Sequence, residues 1–261
     1  MVAAMTRPTL RDLLERRTPA FGTMIVEVTT PGIGHILAGA GCEFAFLDME
    51  HTGFGFETVK STLQYLRAAG VPAVVRVPSH ARHHICRAAD VGAEGVMLAM
   101  VGSAAEAEAA VAALKYTPDG SRGVAFGIAH DDWLARPAAE AMAAANRRTT
   151  LFAMIETGDG VANAEAIAAV RGVDCLWVGH FDLSASLGIP GQFDHPAFRD
   201  AIARVTAAAR AHGRALGRMV GSLAEARQAR ADGFHVLAYS GDAWLLQAAL
   251  RDALGMLRNE G

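Results

Sequence analysis

Short apolar runs rich in β-formers recur along the chain, each followed by a stretch where Ala and Leu return with helical period. Eight such runs stand at 21–26, 44–48, 73–77, 95–100, 151–155, 175–179, 215–220 and 236–240. Most lack strict alternation, the pattern of strands buried on both faces of a parallel sheet. The intervening segments read as helices. Thr30-Pro31 supplies a cap and a proline at the first helical position of 32–40. Val59, Leu63 and Leu66 share one face of 57–69, which stops at Gly70, and Ser79 opens 81–91, which stops at Gly92. Ser103 and Glu106 form a capping box at the head of 104–114. Helices over 196–212, 222–231 and 242–257 complete the alternation.

Eight strand–helix units predict a (β/α)₈ TIM barrel with residues 1–261 as a single domain. A doubly wound open sheet is the alternative, but its fingerprint is missing. Gly32-Ile33-Gly34 is followed by Leu37 where a third glycine is required, and no Walker A sequence occurs. Segment 115–148 breaks the rhythm with Pro118, Gly120, Gly123, Gly127 and Pro137. It predicts an irregular insertion acting as an active-site cover or a subunit contact.

Composition narrows the class of function. The 261 residues are 52% hydrophobic and 20% charged, enough for a substantial core. Lys+Arg number 24 against 27 Asp+Glu, a net charge of −3, without a basic cluster. That argues against a nucleic-acid partner. Cys42, Cys86 and Cys175 are odd in number and far apart, so a reducing, cytoplasmic setting is expected and a disulfide framework is not. No apolar run reaches the ~18–20 residues of a membrane span. Residues 1–17 mix Arg7, Arg11, Arg16 and Arg17 with Asp12 and Glu15, which reads as a short amphipathic helix and not a signal peptide.

In a TIM barrel the chemistry gathers where strands end at their C-terminal edge. The strand at 44–48 runs into Asp48-Met49-Glu50-His51, and that at 73–77 carries Arg76. The strand at 151–155 is followed by Glu156, and that at 175–179 by His180-Phe181-Asp182. Glu156 and Asp182 each follow an apolar strand, where ionisation is costly unless a cation or donor compensates. A helix cap or an Arg partner would account for either one alone. The pair on adjacent strand ends points to a hard divalent metal such as Mg²⁺ or Mn²⁺, since only oxygen ligands are offered. His51 is either a surface histidine or, beside Asp48 and Glu50, a group placed to move a proton. Arg76 is either salt-bridged to Asp48 or Glu50, or a positive fork for a carboxylate or oxyanion. His80, His83 and His84 cluster at a helix start that lacks carboxylates, a weak candidate for a second metal site.

With these residues in place, the chain resembles the HpcH/HpaI aldolases, the metal-dependent class II pyruvate aldolases. The resemblance runs over nearly the whole length. It rests on Asp48-Met49-Glu50-His51, Val75-Arg76, Asp90-Val91-Gly92, Lys115-Tyr116-Thr117-Pro118-Asp119-Gly120-Ser121-Arg122-Gly123, Ile155-Glu156-Thr157 and Val178-Gly179-His180-Phe181-Asp182-Leu183-Ser184. It implies Glu156 and Asp182 as ligands of Mg²⁺, Mn²⁺ or Co²⁺, His51 as general base and Arg76 as stabiliser of developing negative charge. Gly179, Phe181 and Asp182, with Arg76, are implied substrate contacts. Asp90 is implied to raise the basicity of His51. Its place near the end of its helix allows two explanations: either the helix is wrongly drawn, or Asp90 acts across a subunit interface. The resemblance further implies a homohexamer, a trimer of dimers that exchange the final helix at 242–257.

Three positions depart from the family pattern. Met154 stands where some members have Gln, His180-Phe181 replaces a Pro-containing pair, and Ala99 stands where Pro is common. All three bear on the acceptor pocket and leave the metal ligands intact. The implied reaction cleaves or forms a 4-hydroxy-2-oxo acid from pyruvate, or a close 2-oxo acid such as hydroxypyruvate, and an aldehyde, through a metal-stabilised enolate. An imine route has no strand-borne lysine, since Lys60 and Lys115 are the only two in the chain. Three other readings stay open. One is an enolate condensation like that of citrate-synthase-like or macrophomate-synthase-like relatives. Another is a metal-independent sugar-phosphate isomerase using Val220-Gly221-Ser222 and Ser240-Gly241. The last is a barrel retained as a binding scaffold.

Overall fold

The computed structural model describes residues 8–259, in which eight parallel strands close into a barrel in sequence order. They are β1 Ala20–Ile25, β2 Phe44–Asp48, β3 Ala73–Arg76, β4 Gly95–Leu98, β5 Thr150–Ile155, β6 Val173–Val178, β7 Ala215–Val220 and β8 Val236–Gly241. The sequence-derived bounds differ from these only at strand ends. β4 stops early because Met100 turns into the left-handed region at φ 55°.

Twelve helices surround the sheet. The first six are α1 Leu10–Glu15, α2 Ile33–Gly39, α3 Phe56–Ala68, α4 Arg82–Asp90, α5 Ala104–Leu114 and α6 Ala138–Arg148. The others are α7 Gly158–Ala162, α8 Ala164–Ala169, α9 His180–Ser186, α10 Pro196–Ala211, α11 Leu223–Ala231 and α12 Asp242–Asn259. The Ser103–Glu106 capping box is present on α5. Two cap expectations are corrected. Gly32, not Thr30, caps α2, because Thr30 spends its carbonyl on a turn to the Ile33 N–H at 3.0 Å. Ala81 caps α4, with Ser79 Oγ accepting from the Ala81 N–H one step upstream. The irregular insertion also shrinks: its last third is α6, whose alanines bury only Ala141 and so carry no apolar stripe to announce a helix.

The core has two layers. One lies between sheet and helices, and the other fills the barrel interior with side chains from the strands. α1 plugs the bottom, where Leu10, Leu13 and Leu14 join the interior layer. The Leu10 N–H donates to Glu94 Oε2 at 3.0 Å.

Alternation along the strands then places the site. Successive inward positions on β2 are Phe44, Phe46 and Asp48, on β3 Val74 and Arg76, and on β5 Phe152 and Met154, followed by Glu156. On β6 they are Cys175 and Trp177, followed by Gly179. Asp48 and Glu156 are the next inward step above two apolar positions, and Arg76 above one. Trp177 needs room there, and Gly217 provides it: a Cβ at Gly217 would lie 2.4 Å from the Trp177 ring.

Among the described residues no helix is long and apolar enough to cross a membrane. None of the described side chains of α12 is buried, and Trp244, Leu246, Leu250, Leu254, Met256 and Leu257 are exposed.

Candidate active site

A cavity of about 1090 Å³ opens at the C-terminal mouth of the barrel. Asp48, His51, Arg76, Glu156, Gly179, Phe181 and Asp182 all line it. Asp90 does not. It ends α4 and accepts from Arg122 Nε at 3.2 Å and Nη2 at 2.5 Å, with the Arg122 guanidinium 4.5 Å from the Tyr116 ring centre.

Asp48 organises one side of the mouth. It faces Arg76 across the β2–β3 register and accepts both prongs of its fork, Nε to Oδ1 and Nη2 to Oδ2, at 2.8 Å each. Such bidentate pairing fixes direction as well as distance. Asp48 also accepts the backbone N–H of Glu50 at 2.9 Å and of His51 at 3.3 Å, anchoring the turn that presents His51. The third prong of Arg76, Nη1, lies 3.0 Å from Glu50 Oε2. Arg76 is therefore salt-bridged and aimed at the cavity at once. The His51 ring is mostly exposed, with Nε2 3.8 Å from Glu50 Oε2.

The opposite side carries unbalanced negative charge. Glu156 is 2% exposed, and burial pushes its carboxyl up to about 7. The Met100 N–H holds it down, while the charges of Asp182 and Glu50 push it further up. Gly179 is required beside it, since a Cβ there would fall 2.1 Å from Glu156 Oε2. Met100 donates to Glu156 Oε1 at 2.6 Å, and its left-handed backbone is what turns that N–H inward. The carbonyl of the same peptide, Ala99 O, lies 2.5 Å from His80 Nε2. A carbonyl only accepts, so Nε2 carries the proton. His80, one peptide unit and Glu156 form a single hydrogen-bonded chain.

His80 and Asp48 are the site residues that strand-end reasoning did not single out. Asp48 entered as an alternative partner of Arg76 and as a neighbour of His51, with no role of its own. The link from His80 passes through a peptide bond and leaves no sequence signal. Neither His83 nor His84 joins a metal-binding cluster: among the described residues no group of three or more His, Cys, Asp or Glu is placed to hold an ion. His180 packs against Phe181 and Phe193, with ring centres 4.6 and 5.2 Å away. Burial, helped by the Arg218 charge, lowers its pKa to about 4.

Two rival chemistries find no groups here. No lysine lines the cavity among the described residues, and Lys115 is spent elsewhere, donating to Asn146 O at 2.8 Å and Thr149 Oγ1 at 3.0 Å. After β7 the Gly221 N–H is taken by Glu225 Oε2 at 2.9 Å, and after β8 the Asp242 carboxylate sits against the Val26 and Val28 N–H groups at 3.0 and 2.6 Å, so each glycine-bearing turn presents an acidic side chain.

A closed parallel barrel with His, Arg and two carboxylates converging on its C-terminal mouth has the layout of a TIM-barrel active site. The profile of the HpcH/HpaI aldolase/citrate lyase family matches residues 23–249, and the chain belongs to that family and is a carbon–carbon lyase. It is 34% identical over 264 residues to the hydroxypyruvate/pyruvate aldolase of Paraburkholderia phytofirmans, covering 99% of this chain and 100% of that one. It is 35% identical over 201 residues to the 5-keto-4-deoxy-D-glucarate aldolase of Shigella boydii, covering 77% of each. Among solved structures, an HpcH/HpaI aldolase from Desulfitobacterium hafniense superposes with a TM-score of 0.91 at 32% identity, covering 96% of both chains.

Proposed function

We propose that the chain is a class II aldolase joining pyruvate, or a close 2-oxo acid such as hydroxypyruvate, to an aldehyde, with Glu156 and Asp182 holding a divalent cation. The observation that carries this reading is the buried, unbalanced carboxylate of Glu156 facing Asp182 in one cavity. Arg76 gives it little relief, because that fork is engaged by Asp48 and Glu50. A buried Glu156 beside an exposed Asp182 at an open mouth fits a dication reached from solvent, and an all-oxygen donor set fits Mg²⁺ or Mn²⁺, with Co²⁺ as a further candidate. When bound, the ion supplies Lewis acidity to the keto group of the oxo acid.

The chain's own residues do the rest. Gly179 keeps the backbone at the start of α9 open beside Glu156, leaving space for the carboxylate end of the oxo acid. Arg76 directs Nη1 toward the mouth from a position fixed by Asp48, suited to hydrogen-bonding a developing oxyanion. His51, exposed within the cavity, takes and returns the proton of the aldol oxygen. Asp90 closes α4 and pairs with Arg122 inside its own chain, so any influence on His51 requires a second copy. The uncovered apolar face of α12 supports such an assembly, and we take the homohexamer of exchanged dimers as its form.

The test is calorimetric titration of Mg²⁺ and Mn²⁺ into the metal-free wild type and into Glu156→Gln and Asp182→Asn. Both variants are expected to fold and to lose measurable binding. Wild-type-like affinity in either variant contradicts the assignment.

A further inference from the structure

Building on the aldolase reading above, we infer that the acceptor taken by this site is an uncharged aldehyde with an apolar or aromatic tail, and that carboxylate-bearing aldehydes are disfavoured. The inference rests on what surrounds the space left over once a 2-oxo acid occupies the region of Glu156 and Asp182.

Five carboxylates line the cavity: Glu27, Asp48, Glu156, Asp182 and Glu225. Among the described lining residues, Arg76 is the single side chain with a permanent positive charge; Asp48 and Glu50 already balance that charge, and its mouth-facing Nη1 is the group assigned to the developing oxyanion, not to an acceptor tail. Even with a dication balancing Glu156 and Asp182, Glu27 keeps the mouth negative, Glu225 being opposed by the Arg218 charge on β7, and the oxo acid adds one charge more. An acceptor carboxylate would enter that field without a cationic partner, at the cost of like-charge repulsion and lost hydration. The remaining lining suits a different tail. Met154, Trp177 and Met219 form part of the floor, and Phe181, Phe193 and Trp244 stand at the rim. Phe181 meets Phe193 edge-on, centres 5.2 Å apart at 79°, while itself 65% exposed. An exposed aromatic pair above an apolar floor gains by covering apolar surface. Met154 takes part directly, placing a thioether and no polar donor in the floor, 3.9 Å from Arg76 Nη1.

The reaction balances without a further reagent. A bond forms between C3 of the oxo acid and the aldehyde carbon, the C3 proton leaves, and the aldehyde oxygen gains a proton.

The experiment compares kcat/KM of the Mn²⁺-loaded enzyme, with pyruvate as donor, for 4-oxobutanoate and its methyl ester. The pair share one skeleton and differ in charge. The ester is expected to be used at least tenfold better, and benzaldehyde is expected to be accepted. Glu27→Lys should raise the ratio of kcat/KM for 4-oxobutanoate to that for the ester several-fold. Equal or better use of the acid by the wild type overturns the inference, as does a Glu27→Lys variant that moves both acceptors alike or neither. Deuterium exchange at pyruvate C3, followed in the absence of any aldehyde, separates this failure from a deeper one. Exchange with the acid preferred leaves the aldolase reading standing, whereas absence of exchange removes the reading on which the inference rests.

Discussion

His80 illustrates how far from the chemistry a controlling group can sit. It never reaches the cavity carboxylate, yet its Nε2–H polarises the peptide whose N–H grips Glu156. Hydrogen bonds in series strengthen one another in a low-dielectric site. Replacing His80 by Phe should weaken Mn²⁺ binding by about 1 kcal/mol, roughly fivefold, with little change in thermal stability. His80→Gln should restore most of it, because an amide can donate to Ala99 O. Unchanged affinity in His80→Phe would show that the Met100 N–H holds Glu156 unaided. The place of Glu156, Asp182, Arg76 and His51 at the mouth was legible in the sequence because each lies at or within four residues of the end of an apolar strand. The division of labour among them was not. That Asp48 closes the Arg76 fork follows from strand register, a property of pairs of strands and not of either alone.

At the scale of elements, alternation and punctuation carried the eight strands and most helices. The misses were the short helices α7 and α8 between β5 and β6, and α6, whose alanine-rich surface buries one residue. What holds α6 in place is polar. Lys115, at the end of α5, reaches under it to Asn146 O, Thr149 Oγ1 and Thr149 O. Burial lowers this ammonium to about 8 from the ordinary 10.5, despite the pull of Asp174. The folded state therefore holds the proton less tightly than the unfolded chain, so stability rises with pH between about 8 and 10.5. Denaturant unfolding across that range should show the wild type gaining on Lys115→Met by as much as ~3 kcal/mol. A constant difference between the two would show that the carbonyl cage fully offsets burial.

For the molecule as a whole, the interior layers and the α1 plug satisfy one end of the barrel, while α12 leaves a row of large apolar side chains uncovered. Exposed apolar area on that scale marks an interface. The wild type is expected to sediment as a multimer at micromolar concentration, and Leu250→Glu with Leu254→Glu to shift it toward the monomer. A monomeric wild type would remove both the exchanged helix and any route from Asp90 to a neighbouring His51. In the function proposed above, a cation completes the carboxylate-lined mouth. Exchange of the pyruvate methyl protons for deuterium, followed by proton NMR, tests this most directly. Exchange should proceed with Mn²⁺ or Mg²⁺, stop on chelation and return when the metal is restored; exchange that continues undiminished in the chelated enzyme would contradict it.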